Sequence, residues 1–280
     1  MSAIPQPLVE GYWLGYVPSQ DVDKPHGDGL GLGEIAGTAP VNVVKIAFYN
    51  LYPANLASVC FGMSQGHTWS YTRAGIQKLQ ASGIKVLASI IGTPDPQVGW
   101  NDLPDPHAFA ANVKGLFIDN LGCDGIDIDN EDPADPDEHF EAVVTALREE
   151  LGPKGGDHAL LTYVTYQPDR DLPWMKKVGT AFDWVSTMAY WLDTEGQKEL
   201  WQEYATLLGP ENVLVGVAAG NDSQSTTIQT VTEIADWETQ RGAGQTGGMM
   251  LWNMSGGQET GKYYSTIRRY LKIWNPPAAG

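Results

Sequence analysis

Residues 84–92, which read Ile-Lys-Val-Leu-Ala-Ser-Ile-Ile-Gly, limit the fold more than any other stretch of the chain. A run of strand length with almost no polar side chains fits a strand buried on both faces, the condition of parallel strands covered by helices. A strand with one wet face would alternate instead. Neighbouring parallel strands are joined by long crossovers, usually helical, so helical patterns are required on both sides of this run. Residues 71–81 and 104–121 supply them, and the first closes at Gly83, a residue suited to a helix end.

The alternation extends along the chain. Strand-like runs occur at 8–16, 41–49, 84–92, 123–132, 160–165, 184–188, 213–217 and 248–252, with further helical patterns at 135–151, 173–178, 195–208, 225–243 and 260–274. The Gly- and Pro-rich segment 17–40 is too sparse in apolar residues to predict an element, and residues 50–69 read as a loop. Strands alternating with helices, without a linker or internal repeat, predict an α/β chain folded as a single (β/α)8 TIM barrel. One catalytic domain is expected over 1–280, with its core at about 8–274. An open doubly wound sheet is the alternative. Its nucleotide-binding versions lack support, because no Gly-x-Gly-x-x-Gly follows the first strand and no phosphate loop occurs.

Composition narrows the partners. Seventeen Lys and Arg against 34 Asp and Glu give a net charge of −17, which argues against nucleic acid and anionic membranes. The amino terminus, Met1-Ser2-Ala3-Ile4-Pro5, has no basic region followed by an apolar core, and no stretch is apolar enough to span a bilayer. A soluble monomer is expected, either intracellular or the mature form of a secreted protein. Ten Trp, twelve Tyr and six Phe offer flat rings that stack on sugar faces as well as fill cores. The two cysteines, Cys60 and Cys123, are too few for a disulfide framework or a four-cysteine zinc site. No metal and no cofactor is expected.

The chemistry is concentrated in residues 123–132. Read as a strand, this segment puts Asp127, Asp129 and Glu131 on one face and Ile126, Ile128 and Asn130 on the other. Carboxylates at roughly 7 Å spacing raise one another's pKa, and a carboxyl kept protonated near neutral pH is what general acid catalysis needs. Two plainer readings compete: a solvated acidic turn, and a calcium loop of the EF-hand type using Asp127, Asp129, Glu131, Asp135 and Glu138. Against the calcium loop, Asp132 stands where the turn needs Gly, Pro133 and Pro136 interrupt it, and the preceding run is β-like.

In a parallel barrel, functional groups sit at the carboxyl ends of strands and in the loops that follow. Glu131 falls there. The same rule selects Tyr49 after the second strand, Tyr166 and Gln167 after the fifth, Tyr190 and Trp191 after the sixth, and Trp252 with Asn253 at the eighth.

Asp124-Gly125-Ile126-Asp127-Ile128-Asp129-Asn130-Glu131 fits Asp-Gly-x-Asp-x-Asp-x-Glu at every defined position. On this motif the chain resembles glycoside hydrolase family 18, the chitinases and endo-β-N-acetylglucosaminidases. Lys45-Ile46-Ala47-Phe48, the run 85–92, Met188-Ala189-Tyr190 and Gly247-Gly248-Met249-Met250-Leu251-Trp252 are similar to the family's second, third, sixth and eighth strands, so the resemblance covers about 8–274.

The resemblance implies retaining, substrate-assisted hydrolysis of β-1,4 bonds between N-acetylglucosamine residues, in the chitobiose core of a glycoprotein N-glycan or in a chitin oligosaccharide. It implies Glu131 as general acid and Asp129 as the group that holds the 2-acetamido N–H. Asp127 would share a proton or hydrogen bond with Asp129. Tyr190 would donate to the acetamido carbonyl, and Trp252 would floor the sugar site. Trp191, Tyr49, Tyr166, Gln167 and Asn253 are further substrate-binding candidates, and Asp124 is expected to organise the start of the strand. Asn130 stands where many chitinases carry an aromatic, and Trp191 where they often carry Asp or Asn; the polar residue at 130, the compact single domain and the ending Asn253-Met254-Ser255-Gly256-Gly257-Gln258 look more like the bacterial endo-β-N-acetylglucosaminidases. The alternative is a catalytically silent, chitinase-like sugar-binding barrel, although such relatives commonly lose the acid and this chain keeps Glu131.

Overall fold

Strands form where the apolar runs lie. The computed structural model describes residues 7–14, 32–38, 41–51, 59–61, 69–92, 99–132, 134–154, 158–165, 167–219, 225–242 and 244–254. Its strands are β1 (Leu8–Leu14), β2 (Val43–Leu51), β3 (Val59–Phe61), β4 (Lys85–Gly92), β5 (Gly125–Asn130), β6 (Leu160–Thr165), β7 (Trp184–Thr187), β8 (Val213–Ala218) and β9 (Gly248–Trp252). They hydrogen-bond in the order β1-β9-β8-β7-β6-β5-β4-β2, and β1 also pairs with β2. Every one of these pairings is parallel, so eight strands close into the expected barrel. β3 adds an antiparallel edge on β2 at Tyr49, Asn50 and Leu51, within a segment expected to be loop. Closure between β9 and β1 requires Gly248, which has a φ of 116° and whose absent Cβ would lie 1.9 Å from the Leu8 carbonyl oxygen.

The helices are α1 (Leu32–Thr38), α2 (Trp69–Ala81), α3 (Pro106–Val113), α4 (Glu138–Leu151), α5 (Pro168–Val178), α6 (Thr194–Leu208) and α7 (Ile228–Arg241). α3 runs on as a π-helical stretch, Lys114–Leu121, so the pattern at 104–121 is one continuous helical segment. Side-chain caps set the helix starts: Asp105, Asp137, Asp193 and Thr227 each accept a backbone N–H from the first turn of α3, α4, α6 and α7.

Two expectations need correction. Segment 17–40 does contain an element, because Leu32 and Ile35, one turn apart, are both fully buried and the core supplies the packing that local composition lacks. α5 starts five residues before Pro173. Pro168 takes the first helical position that Pro173 was expected to fill, and Pro173 lies inside the helix. The helix expected at 260–274 lies outside the described residues.

Strand alternation divides the buried side chains into two sets. Ile126, Ile128, Val44, Ile46, Val86, Ala88 and Tyr163 face outward and join the helices in the large core cluster. Inward residues fill the barrel in layers. Leu8, Val43, Leu87, Leu160, Trp184 and Leu214 make an apolar base. Two residues further along the strands, Glu10, Lys45, Ser89, Asp127, Thr162 and Ser186 form a buried polar layer. Above it Tyr12, Leu14, Ala47, Phe48, Ile91, Val164, Met188 and Met250 pack together with Tyr190 and Trp252.

Candidate active site

The site is built on the inward face of β5. Asp127 is fully buried in the polar layer, and protein donors hold both of its oxygens. Oδ1 accepts from Thr162 Oγ1 at 2.6 Å and faces Lys45 Nζ at 2.9 Å. Oδ2 accepts from Tyr12 OH and Ser89 Oγ, each at 2.8 Å. Lys45 also pairs with Glu10 at 2.8 Å, and Glu10 accepts from Trp184 Nε1 at 2.8 Å and from Ser186 Oγ. Burial alone would depress the Lys45 ammonium, but the charges of Asp127 and Glu10 outweigh it and hold its pKa above the ordinary value. Burial, then Asp127, Asp129 and Glu10, push the Tyr12 phenol well up, so it stays a donor.

One step higher on the same strand face, Asp129 is treated differently. It is 2% exposed, yet its Oδ1 has no hydrogen-bond partner among the described residues. Burial first, then the charges of Glu131 and Asp127, raise its carboxyl well above the ordinary range, against a smaller opposing pull from Lys45. Glu131, the next inward residue, is only partly buried, and burial raises its carboxyl too. Tyr190 is half-buried nearby, its phenol pushed up by burial and by Asp129 and Glu131, and among the described residues its hydroxyl has only a weak acceptor, Met250 Sδ at 3.8 Å. The Trp252 ring stacks on Phe48 (centroids 5.5 Å, 20°) and meets Tyr12 edge-on at 5.4 Å, giving a flat apolar platform at the end of β9.

Acids and aromatics thus converge at the carboxyl end of the barrel strands. Residues 63–263 match the family model of the endo-β-N-acetylglucosaminidase EndoS TIM-barrel domain. The chain belongs to this family. It is a family 18 glycosidase barrel, and similar folds recur among solved structures. A fungal endo-β-N-acetylglucosaminidase of glycosyl hydrolase family 18 superposes with a TM-score of 0.73 at 16% identity, covering 97% of this chain and 99% of the other. A GH18 chitinase from Pseudoalteromonas aurantia gives 0.69 at 20% identity, over 89% and 94%. A mutant endo-β-N-acetylglucosaminidase from Cordyceps militaris, in complex with fucosyl-N-acetylglucosamine-Asn, gives 0.65 at 17% identity, over 96% and 91%. At these identities the likeness is one of fold. No curated protein matches the chain.

The EndoS-type barrel distributes the other expected site residues unevenly. Tyr49 is corrected outright. It is fully buried on the outer side of the barrel, its ring 4.4 Å from Phe117, so it cannot reach a sugar. The reason is a register shift between β2 and β4 from Ile46 to Tyr49, which keeps Phe48 with Ala47 on the inner side and turns Tyr49 away. The expected sharing between Asp127 and Asp129 is also replaced, since both Asp127 oxygens are taken by other donors. Those partners hold Asp127 inside the barrel.

Trp191 is half-exposed and meets Tyr190 edge-on at 6.2 Å. Asn253 is buried beside Trp252. Gln167 is exposed and lines a cavity of about 510 Å³ between α4 and α5 with Asp135, Arg170 and Trp174, to one side of the acidic strand. Tyr166 lies outside the described residues. Asp124 does organise the start of β5: it accepts from Lys85 Nζ, Gln80 Nε2 and the Val86 N–H.

Sequence reasoning missed Glu10, Tyr12, Lys45, Phe48, Ser89, Thr162 and Ser186. A signal existed for the charged pair, because Glu10 and Lys45 interrupt two otherwise apolar strands.

Proposed function

We propose that this barrel is a retaining endo-β-N-acetylglucosaminidase that cleaves the β-1,4 bond of the N-glycan chitobiose core with assistance from the substrate's own acetamido group. The observation that carries the reading is Asp129 Oδ1, a buried carboxylate oxygen without a donor beside the partly exposed Glu131. A buried acceptor left unmet in the free protein is costly. It is met when a ligand brings an N–H, and a 2-acetamido group brings one next to the anomeric carbon.

In this reading Glu131 protonates the glycosidic oxygen as the C–O bond breaks, and burial, which raises its pKa, helps it hold the proton it must give. The acetamido carbonyl oxygen attacks the anomeric carbon from the opposite face to give an oxazolinium ion. Asp129 takes the acetamido N–H and offsets the positive charge. Tyr190 keeps its proton and donates a hydrogen bond from its hydroxyl to the acetamido carbonyl oxygen, and Trp252 carries the apolar face of the sugar. Glu131 then removes a proton from the water that opens the oxazolinium ring, restoring the original anomeric configuration. Trp191, half-exposed and edge-on to Tyr190, offers a further contact for the sugar chain. The match to an EndoS barrel favours N-glycans over chitin.

The test is mass spectrometry of products from a high-mannose glycoprotein, a complex-type glycoprotein and a chitin pentamer, with Glu131→Gln alongside. The expected result is one N-acetylglucosamine left on Asn, at a rate cut at least about 10³-fold in Glu131→Gln. Shortened chitin oligomers alone would make the protein a chitinase. No product from any substrate would favour the silent sugar-binding barrel.

A further inference from the structure

Glu131 stands just past the end of β5, where the sheet no longer holds the chain. Among the described residues the last pair of β5 and β6 is Asp129 and Val164, and none of them gives the carbonyls of Asn130 and Asp132 a β6 ladder donor. A backbone left in that state must find other partners or fray. Both carbonyls are met by one side chain. Arg170, in the first turn of α5, donates Nη2–H to Asn130 O at 3.0 Å and Nη1–H to Asp132 O. Its Nε–H goes to Asp171 Oδ1 at 2.9 Å, and both side chains are buried. Asp171 is tied to the turn that precedes it, its Oδ2 accepting the Gln167 N–H at 3.3 Å. The guanidinium therefore spans the residue on either side of Glu131, and a buried carboxylate fixes its plane.

We propose that Arg170, oriented by Asp171, is a positioning residue that sets the direction of the Glu131 carboxyl by clamping the backbone on both sides of it. The inference rests on the reading of Glu131 as the general acid. The choice of residue follows from geometry, because a planar fork with several donors can bridge two carbonyls while a third N–H stays anchored, and a lysine ammonium cannot match that pattern. Misplacing a reacting group by about 1 Å can cost about 10²-fold in rate, so the clamp belongs to the site although it touches no substrate.

Three proteins are compared: wild type, Arg170→Gln and Arg170→Lys. Turnover is measured on an N-acetylglucosamine oligosaccharide and on an aryl glycoside of the same glycone whose phenolic leaving group departs with little protonation. On the oligosaccharide, Arg170→Gln is expected to lower kcat about 10²-fold with KM changed by less than about threefold, and Arg170→Lys to fall between it and wild type. On the aryl glycoside the loss should shrink to a few-fold, because the acid matters less there.

Carboxyl NMR titration, with Glu131 identified through Glu131→Gln, provides a readout that needs no turnover: in Arg170→Gln the Glu131 pKa should fall toward that of an ordinary glutamate as the released segment hydrates. Equal losses on both substrates, or an unmoved Glu131 titration in a folded Arg170→Gln, would overturn the proposal. If Arg170→Gln does not fold, Asp171→Asn takes its place, with the same leaving-group dependence expected at smaller amplitude and its absence counting against the clamp. A wild type that hydrolyses neither substrate would sink the functional reading instead, and the titration would still decide whether Arg170 positions Glu131.

Discussion

Asp127 and Asp129 sit two residues apart on the same strand face, both buried, and the barrel treats them in opposite ways. Asp127 has four partners on its two oxygens, including a lysine that is itself shared with Glu10. Asp129 has an oxygen with no donor among the described residues and a pKa raised by burial and by its acidic neighbours. The lower layer is a closed electrostatic network, and its members are positioned by one another. Among the described residues the upper layer is left incomplete at Asp129 Oδ1, and the nearby Tyr190 hydroxyl reaches the weak acceptor Met250 Sδ. Buried polar groups in a stable fold are normally satisfied, and the unmet Asp129 oxygen, beside Glu131 and Tyr190, supports the proposal that a substrate completes this layer.

The sharpest way to break this contrast is to remove the cation of the lower layer. Lys45→Met leaves Glu10 and Asp127 as buried carboxylates without their counter-charge, which typically costs about 3–5 kcal/mol. A melting temperature lower by roughly 10 °C is expected for a chain of this size. Adding Glu10→Gln should recover part of the loss, because one of the two stranded charges is then gone. Calorimetry of the single and double variants checks this, and a Lys45→Met protein as stable as wild type would mean the lower layer is not a network.

The upper layer should respond in the opposite sense. Asp129→Asn is expected to lower kcat on the order of 10²–10³-fold, while the protein becomes no less stable. The pH dependence follows from the direction of the shift. A carboxyl whose folded pKa lies above its unfolded value binds more protons in the folded state, so its contribution to stability falls as pH rises from the unfolded pKa to the folded one. Wild type carries that loss at Asp129 and the Asn variant does not. The difference in melting temperature, variant minus wild type, should be near zero at about pH 4 and positive at neutral pH. Thermal melts across that range decide the point. Glu131 adds a kinetic counterpart: kcat should fall on the alkaline side as its raised carboxyl loses the proton it must donate.

How far the sequence reveals these layers depends on which force places each residue. The closed barrel was legible because doubly buried strands leave near-continuous apolar runs, and the run at 84–92 becomes β4 almost residue for residue. The acidic face of β5 was legible because alternation is strict within a regular strand. The lower network was not, since its members come from β1, β2, β4, β5, β6 and β7 and meet only when the barrel closes; Glu10 and Trp184 are 174 residues apart. α1 escaped notice because its stability comes from tertiary packing of two side chains. Arg170 was invisible for a related reason: its partners are backbone carbonyls, which carry no sequence signature.

The smallest effects test the finest detail, the reversal at the end of β2. Strict alternation from Lys45 would send Phe48 outward and Tyr49 inward, toward the sugar. The register shift instead keeps Phe48 under the Trp252 ring and packs Tyr49 on Phe117 in the outer core. Adjacent residues therefore face different environments and should fail differently. Phe48→Ala removes the support beneath the platform and is expected to raise KM about tenfold, the consequence of losing stacking worth roughly 0.5–1.5 kcal/mol together with apolar area. Tyr49→Phe keeps the ring and its packing, so kcat and KM should stay within about twofold of wild type, with stability changed by no more than about 1 kcal/mol. If Tyr49→Phe weakens substrate binding while Phe48→Ala does not, β2 runs in the unshifted register, and the inner wall of the sugar site is built from the other face of that strand.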